Sequence, residues 1–360
     1  MQRASEETRE GTSPIVSVVI PVWNEERNIT PLLRSIVDQT YPLDRLEILV
    51  CDGMSEDGTR QAIDRFRQEH ALPSIRVIDN PRRKQESALN VGIAEARGEF
   101  VVRLDGRSRP PKDYIERCVD VLLRTGADNV GGIQAARGDA PTQTAIALAM
   151  THPFGVGNAP FRIGNYSGPA ESVYLGCFRR SLFERIGLFD EETPVISEDS
   201  DINKRIRDAG GTVFMDSSIE VGYIARESLS SLWRLCFDYG RRRAGFMLKH
   251  RGFSAWRQLV PTAFVLTVAV LGVAAWFTVW AAIGLAIVLG LYALGAASSA
   301  VLTARRNPSP GLAGRMALAF PCMHVSYGIG FVWECLLRLV RRPGGARRVS
   351  AAIGSGSPRT

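Results

Sequence analysis

The sequence predicts an α/β domain with a mostly parallel sheet and flanking helices, followed by a C-terminal α-helical transmembrane region. Two observations support this prediction. Over residues 15–125, short β-branched runs alternate with segments of helical periodicity, and the connections between them are short. From Gln258 to Ala304 the chain has no Asp, Glu, Lys, Arg or His, and this span is long enough for two helices of about 20 residues, the length that a bilayer core requires.

The alternation defines four strands and three helices. Each predicted strand is a short apolar run that ends in polar residues, and each predicted helix has apolar residues three and four positions apart. Pro42 and Gly98 stop the first and third helices. The strands are SVVIPVWN (17–24), LEILVCDG (46–53), IRVIDN (75–80) and EFVVRLDG (99–106), and the helices occupy residues 29–42, 58–70 and 87–98.

Polar and acidic side chains stand at the end of every predicted strand. The carboxyl ends of parallel strands meet at one edge of a sheet, and α/β proteins bind their ligands there. The sequence therefore predicts a binding site at this edge. Its candidate residues are Asn24, Glu25, Glu26, Asp52, Asp79, Asn80 and Asp105.

Composition and missing motifs narrow the chemistry. There is no G-x-G-x-x-G after the first strand, no P-loop and no G-x-S-x-G elbow, which disfavours a dinucleotide oxidoreductase, a P-loop NTPase and an α/β hydrolase. The six cysteines form no C-x-x-C pair, so a zinc site is not expected. Much of the net charge of +7 lies beside the apolar spans, which indicates attraction to anionic lipid headgroups and no nucleic-acid partner.

An acidic cluster opens a further predicted helix, SEDSDINKRIRDAGG (197–211), which ends at Gly210. Carboxylates in a first helical turn stabilise the helix dipole, and this is one explanation of Glu198 and Asp199. The other explanation is chemical, because a carboxylate within hydrogen-bond reach of a hydroxyl can act as a general base.

Basic residues flank the apolar spans. A two-helix hairpin would leave both basic groups on the inner side of the membrane. The N-terminus has no apolar h-region, so we expect the α/β domain in the cytosol. The basic residues are Arg241, Arg242, Arg243, Lys249, Arg251 and Arg257 before the first span, and Arg305 and Arg306 after the second.

Two further segments belong to this region. A third apolar stretch, residues 316–337, carries His324 and Glu334, and the sequence leaves open whether it spans the membrane, re-enters it or lies in the interface. Residues 229–247 place an apolar stripe opposite most of their charges, which predicts an amphipathic interfacial helix. Arg243 lies on the apolar stripe, where it either reaches lipid headgroups or turns inward to a diphosphate.

Several ordered motifs resemble those of family 2 glycosyltransferases with the GT-A fold: SVVIPVWNEERNI, LEILVCDGMSEDGT, ALNVGIAEARGEFVVRLD and ISEDSDINKRIRDAGG. The stretches RLDGRSRPP, ESVYLGCFRRSLFERIGLFDE, FDYGRRRAG and MHVSYGIGF look like the membrane-anchored enzymes of succinoglycan-type exopolysaccharide assembly. The resemblance covers about residues 15–335 and implies sugar transfer from a nucleotide diphosphate donor with inversion at the anomeric carbon. The Q-x-x-R-W motif of processive relatives is absent, which disfavours a polymer synthase.

The resemblance implies roles for individual residues. Asp199 matches the aspartate of the family's E-D motif and is expected to be the general base, with Glu198 in support. Asp52 is expected to accept the imide N–H of uracil, although an aspartate there also suits an Asx turn.

Four further residues match motifs at the donor side. Pro21, Asn24 and Glu25 match the first-strand motif and are expected to contact the nucleotide, while Glu25 equally fits an exposed loop acid. Asn90 matches the family's A-L-N-x-G pattern and is assigned to the same nucleotide-sugar site.

Asp105 stands where the family's D-x-D motif begins, but Arg107 takes the place of the second acid. Mg²⁺ usually binds only one or two protein carboxylates, so Asp105 and the donor's diphosphate could hold Mg²⁺ or Mn²⁺. Alternatively, Arg107 replaces the charge of the cation by pairing with the diphosphate. The same departure admits a catalytically weak nucleotide-binding scaffold of a glycan-export complex.

Two segments add candidate contacts outside the family motifs. Lys84, with Arg82 and Arg83, precedes a helix N-terminus, where cations and free N–H groups suit a diphosphate; a solvated face is the alternative. The glycine-rich segment 151–168 is too long for a simple connector and is a candidate for acceptor recognition. His152 and Arg162 are its candidate contacts.

Together these observations predict an inverting glycosyltransferase of a bacterial inner membrane. We expect a UDP-sugar donor, a polyprenyl-diphosphate saccharide acceptor and other glycan-assembly proteins as partners; a polyprenyl-phosphate sugar synthase is the alternative within the same fold. The expected organisation is a catalytic domain with nucleotide and acceptor halves, an interfacial helix region, three membrane helices and two disordered tails. The nucleotide half is predicted at residues 15–125, the acceptor half at 126–228 and the interfacial helix region at 229–257. The membrane region is predicted at 258–340, with helices near 259–279, 282–303 and 316–337, and the tails at 1–14 and 341–360.

Overall fold

The computed structural model describes residues 13–70, 75–164, 166–193, 195–252 and 255–340. Apart from residues 13 and 14, the two segments expected to be disordered tails lie outside these ranges.

The first half of the domain is the predicted strand–helix alternation. Its four strands pair in parallel in the order β3-β2-β1-β4, and β1, β2 and β4 are almost wholly buried because helices cover both faces of the sheet. The elements are β1 (Val16–Val22), α1 (Glu26–Val37), β2 (Leu46–Asp52), α2 (Thr59–Glu69), β3 (Ile75–Asp79), α3 (Gln85–Glu95) and β4 (Phe100–Arg103).

Helix α3 ends three residues earlier than its stop signal suggests. Ala96 is already extended, with φ −71° and ψ 132°. Gly98 instead lies against β1, where a Cβ atom would come within 2.6 Å of the Ser17 backbone nitrogen. The glycine is therefore required by close backbone approach.

The second half adds strands that the sequence pattern did not reveal. The described residues give the strand order β3-β2-β1-β4-β8-β6-β9-β5, with β7 paired to β9. Strand β8 runs antiparallel to both β4 and β6, so the sheet is mixed, while the predicted α/β class is confirmed. The elements are β5 (Ser108–Arg109), α4 (Tyr114–Thr125), β6 (Asn129–Arg137), α5 (Pro141–Thr151), α6 (Pro153–Val156), α7 (Pro160–Ile163), β7 (Gly168–Pro169), β8 (Tyr174–Arg179), α8 (Leu182–Ile186), α9 (Glu198–Asp208) and β9 (Val213–Ile224).

Four helices complete the described chain: α10 (Leu229–His250), α11 (Val260–Ala274), α12 (Val279–Arg306) and α13 (Leu312–Val340). By length and composition, three described segments can cross a membrane: Trp256–Ala274, Val279–Arg306 and Leu312–Val340. The third apolar stretch is thus one continuous helix that passes through Pro321, and it does not form a re-entrant loop.

The apolar stripe of α10 is covered by α13, whereas an interfacial helix would lay this stripe against lipid. The two helices approach closely because each presents a glycine to the other. A Cβ atom on Gly240 would lie 2.0 Å from the Tyr327 carbonyl oxygen, and one on Gly330 would lie 2.1 Å from the Phe237 carbonyl oxygen. Small residues permit such backbone contact between helices. The packing fixes α10 between the sheet domain and the apolar helices.

Candidate active site

A cleft of about 1210 Å³ runs from the carboxyl edge of the sheet to the apolar helices. Its walls include the ends of β1 and β4, the first turn of α9 and one face of α10, and its far end is lined by residues of α11, α12 and α13. Eleven of the predicted site residues line it: Pro21, Glu25, Asn80, Arg83, Lys84, Asp105, Arg107, Arg162, Glu198, Asp199 and Arg243.

Arg103, a residue that the sequence analysis did not single out, organises the centre of the cleft. The residue is only 4% exposed. Nε and Nη2 donate to the two carboxylate oxygens of Asp105 at 2.8 and 3.2 Å, and Nη1 donates to Asp199 at 2.9 Å. Nη2 also donates to Glu198 at 3.2 Å. One guanidinium therefore joins the three predicted acids.

Local structure explains why these groups meet. Arg103 is the last residue of β4, and Asp105 follows it at the strand end that faces the cleft. Glu198 and Asp199 form the first turn of α9, where Ser197 makes no side-chain cap hydrogen bond. Carboxylates at that position complement the helix dipole. The dipole explanation and the chemical explanation of this acidic turn are thus compatible.

Glu198 and Asp199 are driven to different protonation states. Burial and the neighbouring Asp199 charge raise the pKa of Glu198 to about 8, although Arg103 and Arg242 act against the rise. Burial also raises the pKa of Asp199, but the Arg103 charge and hydrogen bonds from Glu198 and Arg103 outweigh it and leave the pKa below its ordinary value. Two interacting carboxyls of this kind hold one proton between them at neutral pH. Asp199 is the member that stays ionised, with 40% of its side chain exposed.

Helix α10 supplies further cations to the same acids. Arg242 donates to Glu86 at 3.0 Å and to Glu198 at 3.2 Å. Arg243 donates to the Ser200 hydroxyl at 2.8 Å, so it turns inward, towards the residue that follows Asp199. The sequence pattern placed Arg242 on the polar face of an interfacial helix, whereas the structure directs it into the cleft.

At the sheet edge of the cleft, Arg107 is paired with an acid of the first-strand motif. Its Nε lies 3.4 Å from a carboxylate oxygen of Glu25, whose other oxygen accepts from the Asn28 amide at 2.6 Å. Pro21 lines the cleft wall nearby, as does Trp23, whose side chain is 54% exposed. The residue that replaces the second acid of D-x-D therefore lies beside the expected nucleotide contacts.

Asp52 is fully buried and lies outside the cleft lining. Its carboxylate accepts from the Ser55 backbone N–H at 3.2 Å and the Ser55 hydroxyl at 2.5 Å, and it pairs with Arg60 at 2.5 Å. This is the Asx-turn arrangement that the sequence left open as the alternative. Both carboxylate oxygens are engaged, so binding a base would require Asp52 to release a partner.

Three more residues that were expected to contact the nucleotide sugar form hydrogen bonds within the protein. Asn24, at φ 52°, accepts the Glu56 backbone N–H at 2.9 Å. Asn90 is buried, and its side-chain amide exchanges two hydrogen bonds of 2.8 Å with the backbone of Phe189. Lys84 lines the cleft and donates to the Glu191 carbonyl at 3.3 Å.

The two candidate acceptor contacts of the glycine-rich segment, Arg162 and His152, have different surroundings. Arg162 lines the cleft, with its guanidinium 5.9 Å from the centroid of the Tyr239 ring. His152 lies outside the cleft lining: its Nδ1 accepts the Phe154 backbone N–H at 3.0 Å, and its ring packs against Phe320. His152 therefore caps a helix and does not join the other candidates.

Comparison with known proteins decides the family. Residues 17–187 match the family model described as Glycosyl transferase family 2. The succinoglycan biosynthesis protein ExoA of Rhizobium meliloti (strain 1021) is 32% identical over 337 residues, which are 92% of this chain and 98% of ExoA. The chain belongs to glycosyltransferase family 2.

Two more distant proteins resemble this glycosyltransferase. The Methanococcus voltae dolichyl N-acetyl-alpha-D-glucosaminyl phosphate 3-beta-D-2,3-diacetamido-2,3-dideoxy-beta-D-glucuronosyltransferase is 24% identical over 255 residues, which are 69% of this chain and 78% of that enzyme. The mannosyltransferase PcManGT from Pyrobaculum calidifontis, solved in complex with GDP-Man and Mn²⁺, superposes with a TM-score of 0.62 at 21% identity and covers 92% of this chain and 93% of PcManGT. The superposition supports the shared fold.

Sequence reasoning missed two arginines of this glycosyltransferase. The sequence does contain an indication for Arg103, because an arginine inside the apolar strand FVVR needs a charged partner when it is buried. It contains none for Arg242, because this residue stands in a run of three arginines before a membrane span, where basic residues are expected from the orientation of the span.

Proposed function

We propose that this glycosyltransferase moves a sugar, with inversion, from a nucleotide-diphosphate donor to a lipid-linked saccharide at the membrane. The observation that carries the proposal is the course of the cleft. One end lies at the sheet edge, the acid pair of Glu198 and Asp199 lies within it, and the other end reaches α11, α12 and α13. A soluble donor and an acceptor held in the membrane can therefore meet at one carboxylate.

Asp199 is assigned as the general base. The acceptor hydroxyl must lose its proton as its oxygen attacks the anomeric carbon from the face opposite the diphosphate. The bond to the diphosphate breaks as the new glycosidic bond forms, and the proton passes to the Asp199 carboxylate. The lowered pKa keeps Asp199 ionised, and a positioned base typically contributes about 10²–10⁴-fold to the rate.

Glu198 and Arg103 position that base. Glu198, with its raised pKa, donates a hydrogen bond towards Asp199 and keeps the pair singly charged. Arg103 holds the Asp199 carboxylate in line with Asp105. A fixed geometry removes the need to reorganise the site when the acceptor arrives.

We assign the donor site to the sheet edge, with Pro21, Glu25, Lys84 and Arg107 as contacts and Arg243 beside the reacting centre. A UDP-sugar is the first donor to test. Asp52 would contact uracil only by giving up a bond to Ser55 or Arg60. Asn90 and Asn24 are assigned to shaping the loops around this site.

A divalent cation fits Asp105 on the chemistry of the surrounding groups. Four carboxyl groups, those of Glu86, Asp105, Glu198 and Asp199, face the two guanidinium groups of Arg103 and Arg242. With one proton on the Glu198–Asp199 pair, three negative charges still face two positive charges. The described residues contain no group of three or more metal-ligating side chains. Asp105 would therefore be the protein's ligand, and Mg²⁺ or Mn²⁺ bound there would neutralise charge on the donor's diphosphate.

We further propose that the acceptor is a polyprenyl-diphosphate saccharide, that the protein lies in a bacterial inner membrane and that its catalytic domain is cytoplasmic. The support for these three points is the set of helices long and apolar enough to cross a membrane, the basic residues that flank them, and the lipid-linked substrate named for the Methanococcus relative. The acceptor's headgroup is confined to the interface, so a catalyst anchored there shares its plane.

Product analysis tests this function. Membranes containing the full chain are incubated with labelled UDP-, GDP- or dTDP-sugars, Mg²⁺ or Mn²⁺, and either polyprenyl-diphosphate saccharide or polyprenyl phosphate. We expect label to enter the saccharide lipid with the opposite anomeric configuration to the donor. Label entering only polyprenyl phosphate would instead identify a polyprenyl-phosphate sugar synthase. Absence of transfer and of donor hydrolysis with every donor would favour a scaffold.

A further inference from the structure

Two arginines in the cleft, Arg162 and Arg226, have no acidic partner among the residues that the structure describes. Arg162 lies in α7, with its guanidinium over the rings of Phe161 and Tyr239 at 5.4 and 5.9 Å from their centroids. Arg226 follows β9, and its Nε is buried without a hydrogen-bond partner among the described residues. Neither arginine forms an ion pair with any residue that the structure describes.

The other arginines that line this cleft contrast with this pair, because each has an oxygen-bearing partner. Arg162 and Arg226 are both partly buried, and a cation that is withdrawn from water without a counter-charge loses hydration that no ion pair replaces. Two such cations on the wall of one cleft indicate an anionic ligand. The compensated arginines are Arg83 with Glu56, Arg103 with Asp105, Arg107 with Glu25, Arg242 with Glu198, Arg243 with Ser200 and Arg257 with Glu171.

Tyr239 of α10 lies beside Arg162, whose guanidinium is 5.9 Å from the centroid of the tyrosine ring. Burial and Tyr223 raise the pKa of Tyr239, and the charges of Arg162 and Arg226 act against this rise. Arg243, one turn further along α10, donates to Ser200 beside Asp199. Four residues of helix span roughly 6 Å. Arg162 thus packs on the helix that carries Arg243, and both arginines line the same cleft as the proposed base.

The surroundings of Arg162 connect this position to the apolar helices. Arg162 belongs to the same short segment as Gly155, whose carbonyl oxygen lies 3.1 Å from Nε2 of His324 in α13. Nδ1 of His324 lies 2.8 Å from the Tyr292 hydroxyl of α12. One tautomer, with the proton on Nε2, satisfies both bonds. The segment that carries Arg162 is therefore fastened to two of the helices that can cross a membrane.

Beyond the arginines, the cleft wall becomes aromatic and apolar. Phe264 of α11 stacks on Tyr292 of α12, with ring centroids 4.5 Å apart, and both line the cleft. Met323 of α13 lies on the same wall. A ligand in this position meets two unpaired cations on one side and lipid-like surface on the other.

We propose that Arg162 and Arg226 bind the diphosphate of the lipid-linked acceptor, and that its isoprenoid chain leaves the cleft along Phe264 and Tyr292. This inference rests on the proposed function, because it assigns the acceptor's anionic group to a place within the same site. It separates the acceptor's diphosphate from the donor's, which the sheet edge and Asp105 would hold. The arginines thus select an acceptor that carries both a diphosphate and a lipid.

A binding experiment that needs no turnover tests the site. The purified full chain in detergent is titrated with farnesyl diphosphate, farnesol, inorganic pyrophosphate and a UDP-sugar, in wild type and in Arg162→Ala and Arg226→Ala. We expect each variant to weaken farnesyl diphosphate binding about tenfold, as the loss of a charge-assisted hydrogen bond implies, with UDP-sugar binding unchanged. Arg162→Lys and Arg226→Lys should restore part of the affinity and exclude a folding defect. Arg234→Ala, which removes an exposed arginine of α10, is the matched control.

The ligands and variants separate the competing explanations. Pyrophosphate binding as tight as farnesyl diphosphate binding would identify a free-anion site and overturn the lipid assignment. Equal loss of UDP-sugar affinity would assign the arginines to the donor, and unchanged binding of every ligand would remove the site. A wild type that binds farnesyl diphosphate through both arginines but transfers no sugar refutes the proposed function alone. Normal transfer with an unchanged acceptor KM in both alanine variants refutes the arginine site alone.

Discussion

Nη1 of Arg103 donates to Asp199 at 2.9 Å while Nε of the same guanidinium donates to Asp105 at 2.8 Å. The arginine ends β4, and Asp199 opens α9, 96 positions later in the chain. This contact fixes the proposed base relative to the proposed metal ligand. It also explains how Asp199 remains ionised beside Glu198 in a partly buried site.

Asp199→Asn removes the proposed base with little change in shape. An amide cannot take the acceptor's proton, so we expect kcat to fall by about 10²–10⁴-fold while the donor KM changes little. Initial rates of labelled transfer, measured at saturating acceptor, check this expectation. Asp208→Asn, at the exposed end of the same helix, is the control. Wild-type turnover in Asp199→Asn would place the base on another group.

Removing Arg103 should cost both stability and activity. Arg103→Ala leaves Asp105, Glu198 and Asp199 without their shared guanidinium, and breaking a buried ion pair typically destabilises a protein by about 3–5 kcal/mol. Arg103→Lys keeps the charge but cannot bridge three carboxylates, so stability should be partly retained while transfer stays low.

Thermal unfolding of the detergent-solubilised chain and the transfer rate together measure these two effects. Arg137→Ala removes a 71%-exposed arginine from β6 and should change neither. Full activity in Arg103→Lys would contradict the positioning role, since a lysine supplies charge without the same geometry.

The pH dependence of stability reports on Glu198. Its pKa is raised from 4.5 to about 8, so between these pH values the folded state holds a proton that the unfolded chain has released. Stability therefore falls as pH rises through this window and levels off above about pH 8. Asp199, with a lowered pKa, loses its contribution only at pH values below 3.8.

Glu198→Gln is uncharged throughout, so it lacks this loss of stability. The Tm of the variant minus the Tm of wild type should grow from pH 5 to pH 8, and taking the difference cancels the titration of other groups. A difference that stays constant over this range would show that Glu198 is already ionised at pH 5.

How much the sequence predicts depends on whether an element belongs to the repeating strand–helix alternation. Strands β1 to β4 and helices α1 to α3 follow from local patterns, because strand and helix alternate with short connections and the four strands pair in parallel, even though β4 pairs with the distant β1. Strands β6 to β9 do not, because β6 contains paired glycines and a register shift, and β8 runs antiparallel to both β4 and β6. Alternation of strands and helices predicts a parallel sheet, but it does not predict strands such as β6 to β9 that lie outside the repeat.

The same distinction applies to the site. Asp105, Glu198 and Asp199 stand in recognisable motifs, and the structure brings them together. Asp52 matches a motif as well, yet its neighbours Ser55 and Arg60 satisfy its carboxylate, and no spacing rule reports that competition. Arg162 and His152 stand in the same glycine-rich segment, and nothing in the sequence distinguishes them. In the structure Arg162 lines the cleft, whereas His152 caps a helix and packs against Phe320.

Close packing of α10 on α13 predicts that small side chains are required there. Gly240→Ala would bring a Cβ atom to 2.0 Å from the Tyr327 carbonyl oxygen, so the helices must separate. Overpacking typically costs about 1–3 kcal/mol. Because Arg242 lies on α10 and contacts Glu198, we also expect a lower transfer rate.

Gly272→Ala is the matched control, since a Cβ atom at this glycine of α11 would meet no atom of the described residues within 4 Å. Tm and transfer rate are measured for both variants. Equal behaviour of Gly240→Ala and Gly272→Ala would show that the α10–α13 contact does not support the site.

Metal dependence decides how the negative charge of the donor's diphosphate is neutralised: by a cation bound to Asp105, or directly by Arg107. Nε of Arg107 lies 3.4 Å from a carboxylate oxygen of Glu25. Both carboxylate oxygens of Asp105 accept from Arg103, but each oxygen has a second lone pair for a metal ion, and 29% of the side chain is exposed towards the cleft. We therefore expect EDTA to stop transfer and Mg²⁺ or Mn²⁺ to restore it. Asp105→Asn should raise the metal concentration needed for half-maximal activity, and Asp105→Ala should abolish transfer. Asp120→Asn, on the exposed face of α4, is the control. Transfer that survives EDTA and disappears in Arg107→Gln would reverse the assignment and make the guanidinium the substitute for the cation.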